Sequence, residues 1–140
     1  METNNSSKPS FSQKVKKYFY RFLFLFLLSF VGYFLFIMYV PYSEGVRSGE
    51  LIKFSKKGVV FKTWEGEMSQ GISGAQIFSF SVANKEKEVI QQLEDLQGKY
   101  VKLKYEERYR TFFWWGDSPY FVTNVEEETT PYMRVKETAN

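Results

Sequence analysis

The stretch "RYRTFFWWGDSPYF", residues 108–121, gathers the side chains best suited to recognition. Phe112, Phe113, Trp114 and Trp115 follow one another, with Arg108, Tyr109 and Arg110 just before them. Flat rings stack on bases or sugars and anchor protein partners, and guanidinium groups pair with anions. On a strand, neighbouring side chains point to opposite faces, so only alternate rings of this run would enter one core. The others are expected to dock on a partner, stack on a ligand, lie on a membrane or cover the chain's own sheet. Arg108, Tyr109, Arg110, Phe112, Phe113, Trp114 and Trp115 are therefore the candidate binding residues.

A second group lies in "FKTWEGE", residues 61–67. Glu65 and Glu67 share strand parity, which would set their carboxylates about 7 Å apart on one face. Glycosidases pair carboxylates at such separations, but theirs flank the bond from opposite sides, which i, i+2 residues of one strand do not. The plainer expectation is a polar outer face on a hairpin, with Trp64 turned to the core. "GISGAQ", 71–76, lacks the G-x-G-x-x-G spacing and precedes a strand rather than a helix.

The 140 residues include no cysteine and no histidine. Disulfides, metal sites built on Cys or His, Ser-His-Asp triads and cysteine nucleophiles are thereby excluded. An oxygen-only Mg²⁺ or Ca²⁺ site has no recognisable loop. No position joins a nucleophile to a plausible base. The expectation is a chain that is not an enzyme, with no cofactor and no metal.

The elements that must position these residues are short and alternating. Residues 49–58 read as a strand closed by a Lys-Lys-Gly turn, 59–69 as its hairpin partner, and the following glycines as a connection. Across 75–84, Phe78, Phe80 and Val82 point one way, Ile77, Ser79 and Ser81 the other. Val89, Ile90, Leu93 and Leu96 then fall at helical spacing. Asn84 is the expected N-cap and Gly98 the expected stop. Period two returns over 99–110, with Val101, Leu103 and Tyr105 inward and Lys102, Lys104, Arg108 and Arg110 outward. Residues 120–127 form the last strand. The order β-β-β-α-β-β is that of a five-stranded OB-like barrel with one helix; an SH3-like barrel or a small α+β sheet are the alternatives. In an OB-fold the aromatic run would join the fourth and fifth strands and, with the loop after the first strand, frame the binding face.

Before this mainly-β domain, "FLFLFLLSFVGYFLFIMYV", 22–40, contains no charged residue. As an α-helix it spans the roughly 30 Å hydrocarbon core of a bilayer. Tyr18, Tyr20, Tyr39 and Tyr42 flank it, where amphipathic rings favour the interface. "FIMYVPYSEG" offers no small-x-small cleavage site, so the segment is expected to persist as an uncleaved transmembrane anchor. The formal net charge is +3. Its distribution is uneven: residues 1–21 carry five basic side chains against one acidic, and the remainder fourteen against fifteen. Basic residues before the span place the N-terminus in the cytoplasm. The expected division is a basic cytoplasmic segment 1–21, a transmembrane helix 22–40, an extracytoplasmic domain 41–127 and a flexible tail 128–140. A domain without excess positive charge lacks the footprint for nucleic acid. The lone Gly32 gives no small-xxx-small motif, so no specific homodimer is expected.

"YSEGVRSGELIKFSKKGVVFKTWEGEM", 42–68, resembles a family of short bacterial proteins with one N-terminal membrane helix and a small extracytoplasmic domain. The "KFSKKG…FKTWEGE" hairpin carries the resemblance. It implies a bacterial inner-membrane location and adds no catalytic residue. Some relatives bear the name 6-phosphogluconate dehydrogenase. That activity needs a dinucleotide-binding βαβ unit and a large helical domain, and this chain has neither motif nor length for them. The reading that follows is a membrane-anchored, non-enzymatic binding module, an accessory subunit of an envelope complex, with the bilayer and a membrane or envelope protein as partners. The alternative is a receptor for a saccharide or anionic lipid headgroup, using Tyr109, Trp114 and Trp115 with Arg108 and Arg110. An enzyme of another kind ranks last and would need Glu65 or Glu67 with a raised pKa.

Overall fold

The computed structural model describes residues 11–71 and 76–130. Its elements are α1 (Phe11–Tyr39), β1 (Pro41–Lys57), β2 (Thr63–Ser69), β3 (Ile77–Val82), α2 (Lys87–Asp95), β4 (Tyr100–Arg108) and β5 (Tyr120–Glu127). They divide into two units, one ending at Tyr39 and the other beginning at Val40.

The first unit is α1, 29 residues long and long and apolar enough to cross a membrane. It starts well before the apolar stretch, so Lys14, Lys16, Lys17 and Arg21 ride on its first turns rather than on a separate segment. No proline interrupts 11–39, and Gln, Lys and Arg are good helix formers, so the helix extends N-terminally. Pro41 stops it, having no N–H to donate and a fixed φ. No loop follows: Pro41 is already the first residue of β1. The expectations for residues 1–10, for 72–75 of the glycine-rich connection and for 131–140 lie outside the described residues.

The second unit is a five-stranded mixed sheet that closes into a ring in the order β1-β2-β3-β5-β4, with α2 added. β1 is the long member. Its first half, from Pro41 to Glu50, pairs antiparallel with β4; its second half, from Glu50 to Lys57, pairs antiparallel with β2. β4 and β5 are antiparallel. β3 meets β5 in the one parallel contact, Ser81 opposite Phe121. Two features let β1 serve two partners. A bulge falls between Leu51 and Lys53. At Gly49 a Cβ would come 2.2 Å from the Ser69 carbonyl oxygen, so only glycine admits that crossing.

The inward faces follow the alternation. Leu51, Met68, Phe80, Leu103 and Val122 are buried in one core, with Phe54 stacked on Trp64 at 5.2 Å. Val89, Ile90 and Leu93 of α2 join that core as one helical stripe. The turn after α2 is tied to the bulge. Gly98 N–H donates to Leu51 C=O (2.7 Å), Leu51 N–H to Lys99 C=O (2.9 Å) and Phe54 N–H to Gln97 Oε1 (3.2 Å).

Several boundaries differ from the sequence expectation for local reasons. β1 begins at Pro41, not at residue 49, because β4 supplies a partner for its first half. β2 begins at Thr63; Gly58 has φ +115° and turns the chain, leaving Val59, Val60 and Phe61 in an exposed loop. Asn84 does not cap α2. It sits inside a turn closed by Glu86 N–H to Ala83 C=O (3.0 Å), and Glu86 occupies the N-cap position without a side-chain bond. Gly98, at φ +79°, does follow the helix end in the left-handed region.

Candidate functional site

The aromatic run is not part of a strand. β4 ends at Arg108, β5 begins at Tyr120, and the residues between form a loop with its own hydrogen bonds. Trp115 N–H and Gly116 N–H both donate to Phe112 C=O (2.8 and 3.2 Å), and Thr111 Oγ donates to Gly116 C=O (2.7 Å). This tight turn fans the four rings instead of alternating them. Phe112 lies parallel to Trp114 at 4.8 Å and edge-on to Trp115 at 5.5 Å. Phe113 meets Trp114 edge-on at 4.7 Å and reaches Phe61 of the β1–β2 loop at 5.5 Å. Offset and edge-on pairs of this kind hold each other in place.

The candidate binding residues separate into two groups. Phe112 and Trp115 are half-buried and support the turn. Arg108 lies over Trp115 and Phe121, its guanidinium carbon 5.2 and 4.6 Å from the two centroids, so it braces the base of the loop. Phe113 is 70% exposed, Trp114 37% and Tyr109 49%, and Arg110 is exposed with them. Tyr109 packs edge-on to Tyr42 at 5.0 Å. The surface available to a partner is therefore Tyr109, Arg110, Phe113 and Trp114, extended by Phe61.

A polar cluster fixes this loop to the ring. Glu65 is only 6% exposed. Ser81 Oγ donates to its Oε2 (2.6 Å), and the Asp117 N–H donates to its Oε1 (3.0 Å). Ser118 N–H donates to Ser81 Oγ (3.0 Å), and Ser118 Oγ donates to Ser79 C=O (2.9 Å). The loop end thus crosses the outer faces of β2 and β3 and buries Glu65 and Ser81 there. Gly116 allows the approach: a Cβ there would stand 2.5 Å from Ser81 Oγ. A carboxylate accepting N–H and O–H groups makes stronger bonds than a neutral acceptor.

Glu65 and Ser81 lie on the outer faces as expected, but the loop covers both, which corrects the expectation that those positions are exposed. Glu67 stays partly exposed and lines, with Lys53, Lys57, Glu65, Asp117 and Ser118, a cavity of about 150 Å³ beside the cluster. Trp64 packs against the core as expected. Sequence reasoning missed the Glu65–Ser81–Ser118 cluster and the Val59–Val60–Phe61 tip. The tip had a readable signal, three apolar residues between lysines directly after a turn glycine. The cluster had none, since its members come from three separate elements.

No protein-family model, no curated protein and no solved structure matches the chain.

Proposed function

We propose that the protein is a membrane-tethered, non-enzymatic binding module, a small accessory subunit of a bacterial envelope complex. Its ring is an OB-like barrel, and its working surface is the end where the β1–β2 and β4–β5 loops meet. The strand order β1-β2-β3-β5-β4, closed by β1 and β4, supports the barrel reading. The length and apolarity of α1 support the tether. The observation that carries the functional reading is the pairing of exposed Phe113 and Trp114 with a loop base pinned by buried Glu65. Rings on a hydrogen-bonded turn lose less freedom when a partner covers them than rings on an unsupported loop, which suits a docking surface. Glu65 spends both carboxylate oxygens on the pinning, which suits a structural role better than acid–base chemistry.

A stability comparison tests the surface role. Phe113→Ala in the full chain is expected to cost less than about 1 kcal/mol, while Phe80→Ala costs about 3–5 kcal/mol. Denaturant unfolding of both variants measures the difference. A loss at Phe113 equal to that at Phe80 would make the aromatic run a part of the core and remove the docking surface.

A further inference from the structure

The β1–β2 tip and the aromatic loop share a composition that neither shows alone. Val59 is 96% exposed and Val60 83%, beside Phe61 and in ring contact with Phe113 through it. Side chains this apolar gain nothing from water, and a contiguous group of them marks an interaction site. Exposed Lys56, Lys57 and Lys62 flank the β1–β2 tip, and exposed Arg110 flanks the other. Residues 56–62 and the loop 109–119 together set these four cations against one acidic side chain, the exposed Asp117. An apolar tip ringed by cations, with a tryptophan at its edge, matches the bilayer interface: hydrocarbon below, acidic headgroups around.

The rings beside these tips are of matching kinds. Tyr42 follows the last residue of α1 by three positions in sequence. Its ring packs on Tyr109 at 5.0 Å. Four residues further on stands Phe113, against Phe61. Tyr42, Tyr109 and Trp114 are also the ring types that settle at headgroup depth.

We propose that these two tips insert into the acidic headgroup layer of the bilayer holding the protein's own helix, so that anionic lipid is the ligand of the aromatic surface. The proposal rests on the reading of that end of the ring as the working surface. Insertion uses Val59, Val60, Phe61, Phe113 and Trp114 as the apolar wedge. Lys56, Lys57, Lys62 and Arg110 pair with lipid phosphates.

Tryptophan emission reads this directly. The chain has three tryptophans, none of them in α1, so quenching from the lipid phase reports only on the ring. The full-length protein and its Trp114→Phe variant go into nanodiscs of phosphatidylcholine, with or without phosphatidylglycerol, brominated on the acyl carbons nearest the glycerol. The difference between the two proteins isolates Trp114. The expected result is loss of most Trp114 emission in discs containing phosphatidylglycerol and a smaller loss in phosphatidylcholine alone. Changing Lys56, Lys57 and Lys62 to Gln together removes the gain from the acidic lipid. Trp114 emission untouched by brominated lipid but quenched by aqueous iodide overturns the proposal. If that happens while a photoreactive group at position 113 still captures a protein in native membranes, the surface docks a protein, and the lipid assignment alone falls. If neither lipid nor protein is reached, the working-surface reading falls with it.

Discussion

Glu65 shows how one buried side chain ties the end of the aromatic loop to two strands. Its carboxylate accepts from Ser81 Oγ and from the Asp117 N–H, linking β2, β3 and the end of the aromatic loop. In Glu65→Ala, the Ser81 hydroxyl retains an acceptor in the Ser118 carbonyl, 3.2 Å away. The Asp117 N–H loses its partner, and an unmade bond of this kind costs about 1–3 kcal/mol. Glu65→Ala should therefore destabilise by that amount and raise amide exchange at residues 116–118, with Glu65→Gln losing less. Hydrogen exchange beside a urea melt checks both. Protection unchanged at Asp117 would mean that the loop holds itself. Nothing at the residue scale made this legible. Period two assigns Glu65 and Ser81 to the outer face, correctly, but both are covered there by a loop 52 and 37 residues away in sequence. Local pattern identifies a face and leaves what covers it unknown.

At the scale of the element, β1 carries the architecture. It is one strand of 17 residues that pairs with β4 along its first half and with β2 along its second. The changeover needs Gly49, whose Cβ position is filled by the Ser69 carbonyl. Gly49→Val should cost roughly 3 kcal/mol, the upper end of overpacking penalties, and loosen both pairings. Thermal unfolding followed by circular dichroism measures it; a valine tolerated within about 0.5 kcal/mol would contradict this account of the crossing. The interior strands were legible because core alternation is strong there: Phe78, Phe80 and Val82, or Val101 and Leu103, are buried as their spacing requires. β5 matched its expected bounds. The start of β1 was not legible. "PYSEGVRS" has little apolar alternation, and its strand form depends on β4, which lies far along the chain. The N-cap of α2 was misplaced because Asn84 satisfies turn chemistry as well as cap chemistry, and the turn prevails.

For the whole molecule, the sequence already separated an apolar helix from a β-rich domain, and the division at Tyr39 and Val40 agrees with that separation. Charge gives the proposed orientation. The basic residues precede the apolar span, and those of α1 lie on its first turns. A reporter fused after Asn140 should be active only outside the cytoplasm; cytoplasmic activity would reverse the orientation and reopen nucleic acid as a partner. Orientation decides which leaflet and which proteins the aromatic end of the ring can meet.

The most direct test of a working surface there is photo-crosslinking in native membranes. A photoreactive phenylalanine analogue replaces Phe113 in the full-length chain, with a second protein carrying it at exposed Lys102 on β4 as the comparison. The account predicts a discrete adduct at 113, lipid or protein by mass, and little at 102. Equal or absent labelling at both positions, in proteins that remain folded, would contradict it.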